Sequence, residues 1–253
     1  MNLKLTSKIL VAAIALVSLA LFAWPLFIGA QANHQSGLAQ TIFMLLMPVL
    51  VMLILIEFGS GAIDARQIAL LGVLIALNSV ARMLGAGTAG IETSFFLILI
   101  GAYAFGASFG YLLGAGSLLV SALLTGGVGP WLPFQMMAAG LLGLLAGSLP
   151  RVSSKNGQRW MLAATAVLGS YAYGGLMTLW NWPFLAGTGT SLSYVAGASI
   201  AQNFSRFLSF EAVTGGLLWD TGRAVTTVIL VWLTAPALLA TLNRAARRAG
   251  YSR

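Results

Sequence analysis

The residues best suited to recognising a ligand fall in three short stretches, each pairing tryptophan with an amide or a carboxylate. TGGVGPWLPFQ at 125–135 carries Trp131, Phe134 and Gln135; LWNWPF carries Trp180, Asn181 and Trp182; WDTGR carries Trp219 and Asp220, with Arg223 three residues on. Flat ring faces with a few placed hydrogen-bonding groups recognise a planar or large organic molecule without much charge. Asn78 and Arg82 could add an amide and a cation. In the first stretch the glycines allow backbone conformations and close approaches that other residues forbid, and Pro130 and Pro133 stiffen its exit. Each feature has a plainer reading beside it. A single tryptophan also marks a membrane interface, and Arg82 could snorkel to one. Asp220 and Arg223, on one helical face, also read as an ion pair fixing a helix start. Arg206 and Glu211 read as solvated surface charges, and Glu57 as interfacial.

Catalysis and metal binding find little material. The chain has one histidine, five carboxylates and no cysteine, too few to build a dedicated zinc site or paired acidic clusters for magnesium and a diphosphate. Gly114-Ala115-Gly116-Ser117 is only loosely like an intramembrane serine protease, because His34 lies in the first loop, away from any later helix where it could activate a serine. A channel would need polar residues along several spans, and a self-powered transporter would need ionisable groups or broken helices inside the membrane. Few are present. No nucleotide-binding loop occurs, so any energy for transport must come from a partner. No cofactor is expected.

The elements that must position these residues are membrane helices. Of 253 residues 59% are hydrophobic and 7% charged, in runs long enough to cross a hydrocarbon core about 30 Å thick. Long runs without alternation mean helices, because in lipid each span must satisfy its own backbone. The formal charge of +8 points to membrane orientation and away from nucleic acid, since the basic residues flank apolar spans.

Spans are expected at 9–30, 39–58 and 66–84. The basic start and Ala30-Gln31-Ala32 also fit a secretory signal peptide, but about 22 apolar residues exceed the usual length of one, so the segment is expected to stay as a helix. The run at 91–124 is too long for one crossing and is divided at FGASFG, 105–110, where two glycines and a serine favour a turn. Further spans are expected at 133–149, 158–180 and 222–242, with a long outer segment at 185–222 that turns amphipathic over 203–218. The result is an all-α polytopic membrane protein of about eight helices with both termini cytoplasmic.

Charge parity agrees with the division at 105–110. Inside lie Lys4, Lys8, Arg66, Arg151, Lys155, Arg159, Arg244, Arg247, Arg248 and Arg253 against Glu57 and Asp64. Outside, Arg82, Arg206 and Arg223 balance Glu92, Glu211 and Asp220. The three ligand-competent stretches then share the outer face with Asn78, Arg82 and a glycine-rich loop at 85–90. Ala65, Ala69, Gly72 and Ala76, at helical offsets of three and four, form a small-residue stripe that another helix could approach closely, either within the chain or from a partner.

With these residues in hand, the chain resembles the substrate-binding membrane subunits, or S components, of energy-coupling factor (ECF) vitamin transporters, over roughly 65–248. The resemblance is carried by IALLGVLIALNSVAR at 68–82, SALLTGGVGPWLPFQMMAAG at 121–140, LWNWPF, and WDTGRAVT at 219–226. It implies a six-helix core at 61–253, with 1–60 as a two-helix N-terminal extension outside the family pattern. It implies a non-enzymatic binder in a bacterial cell membrane. Such a binder captures a vitamin-like molecule outside and docks through Ala65, Ala69, Gly72 and Ala76 onto a coupling transmembrane subunit driven by two cytoplasmic ATPases. It is expected to topple to release its cargo, with 85–90 as a lid. Similar TGGVGPW-containing subunits are associated with cobalamin or its precursors. The competing expectation is a membrane scaffold that binds a protein or lipid through its aromatic outer face.

Overall fold

The computed structural model describes residues 13, 15–27, 45, 65–85, 90–185, 189–195 and 197–248. Helices account for nearly all of them: 15–22 is helical, followed by α1 (Trp24–Phe27), α2 (Ala65–Gly85), α3 (Phe95–Phe105), α4 (Ala107–Thr125), α5 (Leu132–Ser148), α6 (Lys155–Leu185), α7 (Ile200–Val213) and α8 (Gly216–Arg248). By length and composition α2, α4, α6 and α8 can each cross a membrane, whereas α3 and α5 are shorter apolar helices. The expected second span at 39–58 and the 86–89 part of the glycine-rich loop lie outside the described residues, apart from Leu45.

The apolar run at 91–124 does divide, and it divides at Gly106. A φ of 114° there belongs to glycine, and the N–H of Gly106 caps α3 through the Ala102 carbonyl. Gly101 meets Leu113 and Gly110 meets Ala102, pairs centred on the same turn, so α3 and α4 form an antiparallel hairpin.

Gly110 belongs to a packing seam, not to the turn as the sequence suggested. Gly106 at the turn and Gly110 and Gly114 on α4 lie against Gly147, Gly143 and Ala139 on α5, so close that a Cβ on the facing glycines would strike the opposite backbone. Such small residues at four-residue spacing let two membrane helices touch backbone to backbone.

The remaining contacts fix the directions. Leu142 meets Gly169, and Gly174 meets Asp220, so α6 runs against both α5 and α8. On α2, Ile75 meets Gly116, and Arg82 bonds Ser121, so α2 and α4 run the same way. Six helices therefore alternate in direction, with the start of α3 between α6 and α8 and α7 packed at that same end.

Two helices exceed their expected bounds. The basic segment after Pro150 is already helical from Lys155, and α8 begins at Gly216 and runs through Pro236 to Arg248, so Asp220 and Arg223 sit in its second turn. Arg66 reaches the Arg248 carbonyl at 3.4 Å, and Arg151 reaches Ala104 at 3.0 Å while covering the Tyr103 ring. These contacts gather the basic residues at the end opposite the 125–135 stretch.

The described N-terminal residues 15–27 pack against the bundle. Phe22 is fully buried and meets Phe134 edge-on at 5.4 Å, and Trp24 donates its indole N–H to the Trp180 carbonyl at 3.1 Å.

Candidate functional site

The ends of α2, α4 and α6 and the starts of α3, α5 and α8 meet at one end of the bundle, and every ligand-competent residue predicted from sequence lies there or just within. They do not form one site. Alternate positions of a helix point to different sides, because residues two apart are separated by about 200°. Trp180 turns inward and stacks on Phe134, with ring centroids 4.0 Å apart and planes within 2°. Trp182 turns the other way, donates its N–H to the Leu192 carbonyl at 2.9 Å and packs on Tyr194 and Phe207. It anchors α7 and the segment before it. Asn181 between them is half-buried.

The same geometry divides Trp219 from Asp220: the indole is 46% exposed, the carboxylate buried. Trp131 is also 46% exposed, and its ring folds over Gly129 while its N–H donates to the Gly127 carbonyl at 3.3 Å, closing its own loop. Gln135 is half-buried.

A charged cluster lies deeper. Arg223 pairs with Asp220 one turn earlier on α8, donates to the Ser170 carbonyl at 3.4 Å, and spreads its guanidinium over the rings of Tyr173, 5.0 Å, and Phe95, 5.8 Å. Phe95 and Tyr173 themselves meet edge-to-face at 4.9 Å. Asp220 reaches this place because position 174 is glycine; a Cβ there would collide with the carboxylate. Arg82, Glu92, Asp220 and Arg223 all act electrostatically on the Tyr173 hydroxyl, which puts groups from α2, α6, α8 and the segment before α3 in one neighbourhood. Arg82 donates to Ser121 at 3.0 Å, and Glu92 accepts from the Ser94 N–H and hydroxyl at 3.0 and 2.7 Å. Asn78, one turn before Arg82, is fully buried with neither amide atom hydrogen-bonded. Unpartnered polar groups of this kind are scarce in folded interiors.

Glu211 corrects its sequence reading. Expected as a solvated charge, it is 5% exposed, with burial pushing its carboxyl above the ordinary value. Arg206 is half-buried and tied to the Thr190 and Ser191 carbonyls at 3.3 and 3.0 Å. α7 is set by a capping box in which Ser199 and Gln202 bond each other's backbone N–H. Asn203 clasps both backbone groups of Val195. That arrangement turns Phe207, Phe210 and Glu211 inward. Sequence reasoning also missed Tyr173 and Phe95, which bear no mark other than an aromatic in an apolar run.

The glycine-rich loop enters the described residues at Gly90, whose φ of 77° and contact with the Trp219 carbonyl leave no room for a side chain. The proposed docking residues Ala65, Ala69, Gly72 and Ala76 all lie on the exposed face of α2, and nothing approaches within 4 Å of a Cβ built on Gly72.

Among the described residues no group of three or more acidic, histidine or cysteine side chains could hold a metal ion. No curated protein and no solved structure matches the chain. The family model described as ECF transporter, substrate-specific component, matches residues 66–242, from the first turn of α2 to the last part of α8. A match over more than two-thirds of the chain, on a helical membrane bundle, places this protein in the family of ECF transporter substrate-specific components, which bind a substrate for transport and are not enzymes.

Proposed function

We propose that this chain captures a vitamin at the outer face of a bacterial plasma membrane and passes it to an ECF coupling subunit driven by two cytoplasmic ATPases. The observation that carries the reading is the collection of Arg82, Glu92, Tyr173, Asp220 and Arg223 at one end of an otherwise apolar bundle. Ionisable groups held inside a membrane bundle are costly and mark ligand pathways. The proposed substrate residues are Asn78, Arg82, Trp131, Phe134, Gln135, Trp180, Asn181, Trp219 and Asp220; Trp182, turned towards α7, is left out of the set. The buried members would build the floor and aromatic wall, and the exposed Trp131 and Trp219 would close the rim.

The cytoplasmic placement of the opposite end follows from its basic residues. Ala65, Ala69, Gly72 and Ala76 are the proposed docking face, because an exposed stripe of small residues on a membrane helix invites close approach by another. The sequence resemblance makes cobalamin or a precursor the first substrate to examine. The test is ATP-dependent vitamin uptake in cells lacking endogenous uptake and co-expressing this chain with an ECF coupling module. Uptake that requires both supports the proposal; absence of uptake for every vitamin overturns it.

A further inference from the structure

Glu211 is a buried carboxylate without an ion pair of its own: the one cation that acts on it, Arg223, is already paired with Asp220. It turns back from α7 over the first turn of α8, where a Cβ on Gly216 would lie 2.5 Å from its Oε1. The Thr178 hydroxyl of α6 is beside it, yet neither carboxylate oxygen completes a hydrogen bond of ordinary geometry.

The neighbouring charged groups are turned to partners other than Glu211. On α8, Arg223 pairs with Asp220, and this is the ion pair found among the described residues. On α2, Arg82 is turned to Ser121, and before α3 Glu92 takes two donors from Ser94. On α6, Tyr173 packs under the Arg223 guanidinium. Three carboxylates thus face two guanidiniums, and the surplus negative charge sits on Glu211. A buried carboxylate in that position either takes up a proton or waits for a cation. A bare divalent ion would need several oxygen ligands, and the described residues hold no such group.

We infer that Glu211 receives a positively charged nitrogen of the substrate, so that the protein selects an organic cation, a protonated amine or a quaternised ring nitrogen, over neutral or anionic relatives. The inference rests on the substrate-capture reading and narrows it: it favours a cationic ligand over the neutral cobalamin-type ligand that the sequence resemblance suggests. An N–H bond to an ionised acid is roughly twice as strong as a neutral one, so a charge at this point discriminates strongly.

The experiment measures thermal stabilisation of the full-length purified protein by thiamine and pyridoxamine as cations, pyridoxine and cyanocobalamin as neutral ligands, and biotin as an anion. Pyridoxamine and pyridoxine differ in a single amine-for-hydroxyl exchange. Stabilisation is expected from cationic members alone. Glu211→Gln should weaken it at least tenfold in apparent affinity while the unliganded protein still melts cooperatively. A neutral or anionic vitamin that stabilises, or cation binding unchanged by Glu211→Gln, overturns the inference and leaves substrate capture standing. No stabilisation by any of the five overturns the inference and counts against substrate capture as well.

Discussion

Phe134 and Trp180 lie face to face, 4.0 Å between centroids, although they belong to different helices and are 46 residues apart. Phe22 closes the edge of the pair and Trp24 bonds the Trp180 backbone. The aromatic wall is therefore part of the bundle's core, and its loss should be felt first as lost stability. Trp180→Ala should cost about 3–5 kcal/mol, the usual range for emptying a large buried ring. Thermal unfolding in detergent measures it.

Trp131 should behave in the opposite way. Half-exposed and folded on its own loop, it contributes little to the core, so Trp131→Ala should leave the melting temperature nearly unchanged and weaken ligand binding. Arg206→Ala supplies the comparison. Equal small effects of both on binding would remove Trp131 from the site.

Two glycines should separate folding from assembly. Gly143 lies against the backbone of Gly110, so Gly143→Leu should prevent α4 and α5 from packing and abolish the folded protein. Gly72 faces open space, so Gly72→Leu should preserve folding and ligand binding yet abolish co-purification with a coupling subunit. Retained co-purification would move the docking face elsewhere.

The Asp220–Arg223 pair should be strongly non-additive. Asp220→Ala leaves a buried guanidinium without its partner, a change that typically costs about 3–5 kcal/mol, while adding Arg223→Met to it should recover a large part of the loss. Gly174→Ala should mimic the single loss by evicting the carboxylate. Thermal unfolding of Asp220→Ala, of Arg223→Met and of the double variant measures the coupling.

Glu211 gives a pH signature. Its folded carboxyl titrates above the ordinary 4.5, so between that value and its raised one the folded state holds the proton more tightly than the unfolded. Stability therefore falls as pH rises through this window. Glu211→Gln should melt higher than the parent at neutral pH, and the difference should shrink towards pH 4.5.

Much of the architecture is legible in the residues. Gly106 marks the division of the long apolar run because only glycine turns there, and charge parity brings the aromatic stretches to one end. The α4–α5 seam is written as glycines at 106, 110 and 114, yet the turn and the seam share Gly106, and a turn explains a glycine pair equally well. LWNWPF reads as one cluster because neighbours in sequence look like neighbours in space; helical rotation sends its two tryptophans apart. Glu211 lies on a stretch that looks solvated, and only the packing of α7 against α6 and α8 reveals that its polar face is partly inside. Nothing in composition announces that Phe22 and Trp24 insert beside residues more than 100 positions away.

The most direct test of substrate capture is equilibrium ligand binding by the purified full-length protein, read as thermal stabilisation across a vitamin panel. At a ligand concentration of about 100 times its Kd, one site should add about 2.7 kcal/mol. The account predicts such a shift for at least one vitamin, diminished by Arg82→Ala. Stabilisation by no vitamin, with lipid or a protein partner stabilising the chain instead, would contradict it.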